Sequence, residues 1–241
     1  MRFAINGFGR VGRTLLRVYA SREDARAKLT LAAINEIADA DTVVHLARYD
    51  SNYGRYPGEI ARSASSLVID QLSVPLSHVA DVAMLPWRQH QIDLVLECTG
   101  AFTDRITAEQ HLQAGASRVL FSQPAESDVD ETIVYGVNSD ALSADMTVVS
   151  AASCTTNAVV PVLATLNRAV GIEAATITTI HSLMNDQPVL DAYHHTDLRK
   201  TRAASQSIIP VDTGLAVGIE RILPYLSGKL SAHALRVPTT K

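Results

Sequence analysis

The chain has 241 residues, of which 47% are hydrophobic and 19% charged, with a formal net charge of −4. That composition is enough for a sizeable folded core or two domains, and it argues against a disordered chain. The negative balance, with no Lys/Arg-rich run and no long apolar stretch, argues against a nucleic-acid partner and against a membrane span.

In chain order, Phe3–Asn6 reads as a short apolar strand running into a glycine turn, and Arg10–Tyr19 as a helix. Leu29–Asn35 is a second buried strand and Thr42–Arg48 a helical stretch. Residues 50–58, rich in Gly, Asn, Ser and Tyr, predict a loop, and 59–80 short, partly polar strands. Ile92–Gly100 predicts a third strand, Asp104–Ala114 a helix with Gly115 as its C-cap, and Val119–Ser122, Ile133–Val137 and Thr147–Ser150 further strands. Strands alternating with helices predict an α/β, doubly wound (Rossmann) parallel sheet, with a domain over 1–152. From 153 to 241 the pattern changes. Thr155–Val170 reads as a helix closed by Gly171, and Ala174–Ile180 as a strand. Residues 185–207 form a long polar segment without clear period, of the kind that is usually functional when it occurs in a compact domain. Gly214–Tyr225 reads as a helix and Leu230–Val237 as a strand.

Gly7-x-Gly9-x-x-Gly12 follows a strand and opens a helix, the context that makes this motif informative. Gly7 permits a tight turn, Gly9 lets the backbone approach a pyrophosphate, and Gly12 lets helix and strand pack closely. Phe8, Arg10 and Val11 complete the turn and the helix start, whose free N–H groups favour an anion. Glu36 ends the second strand, where a carboxylate would hold the adenosine ribose and repel a 2′-phosphate, so NAD is expected rather than NADP.

Cys98 and Cys154 are the only cysteines, too few for a disulfide framework, and a reducing, cytoplasmic setting is expected. Cys154 stands at a helix start, where the helix dipole and free N–H groups favour a thiolate. His181 ends a strand where a loop begins and is the leading candidate for its base. A cysteine or histidine taken alone is more often a packed residue. Cys98 lies inside an apolar strand and reads as packing, His194 and His195 as surface residues, and His45, His78, His90, His111 and His233 show no partnering pattern.

The Ile5–Gly12 run, Ala151-Ala152-Ser153-Cys154-Thr155-Thr156-Asn157, Thr178-Thr179-Ile180-His181 and Arg236-Val237-Pro238-Thr239 together resemble the glyceraldehyde-3-phosphate dehydrogenase family. Asn35-Glu36, Met184 after the histidine, and Ser205–Thr213 resemble its erythrose-4-phosphate dehydrogenase branch. The resemblance implies a Cys154 nucleophile with His181 as base. It also implies Thr99 and Ser122 along the cofactor cleft, and Ser153, Thr155, Lys200, Thr213, Gly214 and Arg236 about a sugar phosphate aldehyde. It further implies a homotetramer, a substrate domain with a mainly antiparallel sheet, and no metal. Glycolytic members place a phosphate-contacting threonine where Met184 stands; a thioether there disfavours phosphorolysis and favours water as acyl acceptor. The reaction so implied is oxidation of D-erythrose 4-phosphate to 4-phosphoerythronate, feeding pyridoxal phosphate biosynthesis. The alternatives are a phosphorylating glyceraldehyde-3-phosphate dehydrogenase and a non-catalytic NAD-binding fragment.

Three departures stand against the family pattern. Asp197-Leu198-Arg199-Lys200 carries Lys200 where the family has arginine, keeping the charge but losing a bidentate fork; the expectation is either a lower phosphate affinity or substitution by Arg199 or Arg202. His194-His195-Thr196 is one residue longer than the usual loop. Family members continue beyond the equivalent of Lys241 into the rest of the substrate-domain sheet, and the expectation for a chain of this length is weak activity and a tendency to aggregate.

Overall fold

The computed structural model describes residues 1–185, 187–194 and 197–239, so the expectations for His195 and Thr196 lie outside the described residues. The chain forms two compact units. One comprises Met1–Ile133 and Asn138–Ser153; the other comprises Val134–Val137 and the chain from Cys154 onward.

In the first unit, β1 (Arg2–Asn6) leads to α1 (Arg10–Ser21), α2 (Glu23–Lys28), β2 (Thr30–Asn35) and α3 (Ala40–Arg48). A two-stranded hairpin follows, β3 (Tyr49–Asp50) with β4 (Gly54–Arg55), then β5 (Ile60–Ser63), β6 (Ser66–Ile69) and β7 (Leu72–Ser77). After these come α4 (Trp87–His90), β8 (Leu94–Glu97), α5 (Arg105–Gln113), β9 (Arg118–Phe121), β10 (Glu131–Thr132) and β11 (Val148–Ser150). The large sheet has the order β10-β11-β9-β8-β1-β2-β7-β6-β5. Pairing is parallel from β10 to β7 and antiparallel across β7, β6 and β5.

Alternation along β1 explains why the sheet is covered on both sides. Phe3 and Ile5 join Leu16, Leu31, Ile34 and Val43 in one core, while Ala4 joins Ala32, Val82, Trp87 and Val95 in the other. Each fully buried large side chain of this kind contributes about 1.5–3 kcal/mol. Helix α1 buries Gly12 and Leu16, four residues apart on one face. Helix α5 starts at Asp104, whose carboxylate accepts from the Thr107 N–H at 2.8 Å. Because β2 lies on one side of β1 and β8 on the other, the strand order reverses at β1, and a crevice opens beyond the carboxyl ends of β1 and β8.

Three expectations change here. The strand over Ile133–Val137 is absent: the paired residues are Glu131 and Thr132, and Gly136, at φ +80°, turns the chain away from extended geometry. The 50–58 loop contains the β3–β4 hairpin. The strand expected over Ile92–Gly100 narrows to Leu94–Glu97.

In the second unit, α6 (Cys154–Val170) is followed by β12 (Ala175–His181), β13 (Ile209–Val211), α7 (Leu215–Ile222) and β14 (Leu230–Arg236). The sheet order is β12-β14-β13. It holds an antiparallel pair, β13 with β14, beside a parallel pair, β12 with β14. Helix α6 buries Thr156, Val160 and Leu163 on one stripe, and α7 buries Leu215, Ile219 and Ile222. Among the described residues, no helix is long and apolar enough to cross a membrane.

Candidate active site

The crevice beyond β1 and β8 is a groove of about 270 Å³, lined among others by Asn6, Gly7, Gly9, Glu36, Thr99 and Phe102. Gly7 has φ +87°, and a Cβ on it would lie 2.5 Å from the Thr99 nitrogen. A Cβ on Gly12 would lie 2.4 Å from the Gly7 carbonyl oxygen, so α1 could not seat against the turn. Gly9 differs from both: a Cβ there meets nothing within 4 Å and would project into open space in a residue that lines the groove. Gly9 also N-caps α1 with no side-chain cap, which leaves first-turn N–H groups of a twelve-residue helix for an external acceptor. Open space at Gly9 and free backbone donors fit the pyrophosphate of a dinucleotide.

The Glu36 carboxylate accepts from the Phe8 N–H at 2.7 Å and from the Ala38 N–H at 3.1 Å, which fixes its charge at the rim of the groove. Phe8 is itself buried, with its N–H tying the glycine turn to Glu36. Arg10 pairs with Asp50 at 3.6 Å, and Val11 is exposed in the first turn of α1. Ser122 directly follows β9; its N–H donates to the Glu97 carbonyl at 3.0 Å, and it is not among the residues lining the groove.

The sequence shows no partnering pattern for His111, and the structure supplies its partners. His111 and Glu97 are both fully buried, 3.0 Å apart, and Trp87 Nε1–H donates to His111 Nδ1 at 2.9 Å. His78 likewise has a partner, the Glu36 carbonyl oxygen at 2.7 Å from its Nδ1. Sequence reading missed both because the partners lie on other elements; an apolar strand ending in a carboxylate, at Glu97, was the one available signal.

Cys154 opens α6 and is exposed; His181 ends β12. Their Sγ and Nε2 atoms are 3.4 Å apart. The other ring nitrogen, Nδ1, lies 2.8 Å from the Ser182 carbonyl oxygen. A carbonyl only accepts, so Nδ1 carries a hydrogen, and Nε2 is the ring nitrogen that faces the sulfur. This is a nucleophile beside a base, with the base oriented by a third group. Cys98 is the contrast: it is 7% exposed, and burial pushes its thiol up to about 12 against a smaller opposing effect of Ser122.

The Cys154–His181 pair opens on a cleft of about 540 Å³, lined also by Thr155, Thr178, Thr179, Ser182 and Thr239. Ala158, Val159, Ile177 and Ile180 complete its wall, so hydroxyls and apolar side chains face the cleft together. Arg236 is the register partner of His181 on the neighbouring strand. Thr213 Oγ1 accepts from the Leu215 N–H at 3.2 Å, and Gly214 N-caps α7. Lys200 sits in a short 3₁₀ turn over Leu198–Thr201. Arg199 binds both oxygens of Asp197, at 2.9 and 3.0 Å, and Asp212 at 2.9 Å; these bonds, Asp197 first, raise its pKa further. Arg202 pairs with Asp191 at 2.6 Å. Both arginines are therefore engaged by carboxylates, which counts against either as a substitute for the family's phosphate arginine. Ser153 belongs to the first unit, at its last residue.

Residues 1–105 match the NAD-binding domain of glyceraldehyde 3-phosphate dehydrogenase, and residues 153–241 match the C-terminal domain of the same enzyme. The N-terminal match precedes the C-terminal one, and the second begins at Ser153, beside the start of the cysteine helix. The chain belongs to the glyceraldehyde 3-phosphate dehydrogenase family, as an NAD-dependent oxidoreductase.

Proposed function

We propose that the protein oxidises D-erythrose 4-phosphate to 4-phosphoerythronate with NAD, through a thioester on Cys154, in the cytoplasm and as a homotetramer. The observation that carries the chemistry is the 3.4 Å contact between Cys154 Sγ and His181 Nε2, with the ring held by the Ser182 carbonyl. The choice of a tetrose over a triose phosphate is supported by Met184, by the Asn35-Glu36 pair and by the Ser205–Thr213 run.

Gly7, Gly9, Glu36 and Thr99 would hold NAD, which when bound supplies the hydride acceptor. His181 Nε2 takes the thiol proton as Cys154 Sγ adds to the aldehyde carbon, and then gives a proton to the carbonyl oxygen. The product is a thiohemiacetal. As that carbon loses its hydride, His181 takes the hydroxyl proton and a thioester remains. The Cys154 backbone N–H at the start of α6, with the His181 imidazole, stabilises charge on the substrate oxygen. His181 releases that proton to solvent and, neutral again, deprotonates a water that attacks the thioester; the C–S bond breaks and the thiolate leaves. Thr155, Thr213, Gly214, Lys200 and Arg236 would bind the sugar hydroxyls and phosphate. The acid produced belongs on the route to pyridoxal phosphate.

The test is NADH formation from erythrose 4-phosphate and from glyceraldehyde 3-phosphate, each with and without inorganic phosphate. Turnover of the tetrose independent of phosphate supports the proposal. Phosphate-dependent turnover confined to the triose would replace it with the glycolytic reaction.

A further inference from the structure

A row of polar side chains crosses four adjacent strands just beneath the cofactor groove. Ser77, Asn35, Asn6 and Glu97 are register partners at the carboxyl ends of β7, β2, β1 and β8. Ser77 Oγ–H donates to Asn35 Oδ1 at 2.8 Å, Asn35 Nδ2–H to Asn6 Oδ1 at 2.8 Å, and Asn6 Nδ2–H to Glu97 Oε2 at 2.6 Å. From the opposite side, Trp87 donates to His111 and His111 to Glu97 Oε2. The Thr99 N–H, at 2.8 Å, and the Thr99 hydroxyl both donate to Glu97 Oε1. Every hydrogen bond in the row thus points at one fully buried carboxylate, which has four donors around it and no acceptor.

The direction of the row is locked at each end. Asn35 donates to the Val79 carbonyl at 2.9 Å and accepts from the Val79 N–H at 2.9 Å, so its amide cannot turn over without losing both bonds. An indole N–H only donates, so His111 must accept at Nδ1 and carry its hydrogen at Nε2. In that tautomer the imidazole is neutral and serves Glu97 as a hydrogen-bond donor rather than as a counter-ion.

We infer that Glu97 is a positioning residue for NAD binding. It fixes Asn6 and Thr99, which both line the groove, and so sets the close approach of Gly7 to Thr99 on which the turn depends. The inference rests on the family assignment of NAD and names the side chain that holds the groove in shape. Glu97→Gln is nearly isosteric but places an NH₂ against two donors; the Thr99 hydroxyl can turn to accept from it, whereas the Thr99 N–H on one side and the locked Asn6 and His111 N–H groups on the other cannot, so at least one buried donor loses its acceptor. His111 is not among the groove-lining residues, so an effect of its substitution on NAD is transmitted through Glu97.

The experiment is calorimetric titration of the whole chain with NAD, together with the rate of Cys154 alkylation by iodoacetamide. Glu97→Gln and His111→Leu should each weaken NAD by about tenfold or more, which is about 1.4 kcal/mol. His111→Gln, which can donate to Glu97 and accept from Trp87, should restore affinity to near wild type. Alkylation of Cys154 should be unchanged in all three. If His111→Leu does not fold, Glu97→Gln against His111→Gln decides. Unchanged NAD affinity in folded Glu97→Gln would overturn the inference, as would His111→Gln binding as poorly as His111→Leu, or alkylation falling in step with NAD affinity. A wild-type chain that binds no NAD would overturn the cofactor assignment, and the inference with it.

Discussion

The three glycines of the dinucleotide turn should separate into two kinds when each is replaced by alanine. At Gly7 the backbone has φ +87° and a new Cβ would stand 2.5 Å from the Thr99 nitrogen and 2.6 Å from its Cα, both fixed main-chain atoms. A left-handed alanine costs about 1–2 kcal/mol and overpacking about 1–3, so Gly7→Ala should lose about 2–5 kcal/mol. That is a large share of a stability of about 5–15 kcal/mol. At Gly12 the new Cβ would meet the Gly7 carbonyl oxygen at 2.4 Å and Ile5 Cγ2 at 3.1 Å. The better helix propensity of alanine, about 1 kcal/mol, offsets part of that clash, leaving a loss of about 2 kcal/mol. At Gly9 no atom lies within 4 Å of the new Cβ and φ is −71°. The poorer N-cap and the smaller unfolded-state entropy of alanine oppose one another, so the net change should be about 1 kcal/mol or less. Yet this Cβ enters the groove, and NAD affinity should fall about tenfold or more. Urea denaturation reads the first quantity and calorimetric titration with NAD the second. A Gly9→Ala protein that binds NAD as the wild type does, or a Gly7→Ala protein of unchanged stability, would refute the reasoning.

Iodoacetamide at pH 8 should label Cys154 and spare Cys98, whose burial holds its thiol near 12, until the fold is opened; peptide mass spectrometry reads the two sites. Asp104→Ala should cost α5 about 1 kcal/mol at neutral pH through loss of its cap. Hydrogen bonds from Thr107 lower the Asp104 pKa. Its contribution is therefore present above the unfolded value of about 4 and is lost as pH falls through the lower native one. The stability gap between wild type and variant should narrow in acid, and a gap constant down to pH 2 would contradict this. His181→Gln should slow NADH formation by about 10²–10⁴-fold while leaving the NAD dissociation constant unchanged, because the variant loses only the base.

What the sequence discloses follows the range of the interactions involved. The glycine turn, the cysteine helix and the strand ending at His181 are local patterns, and each stands where the residues place it. Strand β13 was not legible because Pro210 lies within it, and proline argues against a strand; the structure accommodates it at the sheet edge. Helix α2 was missed because it has no buried residue and so no apolar period. The Trp87–His111–Glu97 chain was invisible because its members lie 14 and 24 residues apart on three elements. Arg199 read as an available cation until folding set Asp212 beside it.

Mass spectrometry of the protein quenched during turnover of erythrose 4-phosphate with NAD tests the central chemistry most directly. An acyl adduct of the sugar acid on the Cys154 peptide, absent in Cys154→Ser along with NADH formation, is the predicted result. Sustained NADH formation by Cys154→Ser, or an adduct on another residue with Cys154 unmodified, would contradict it.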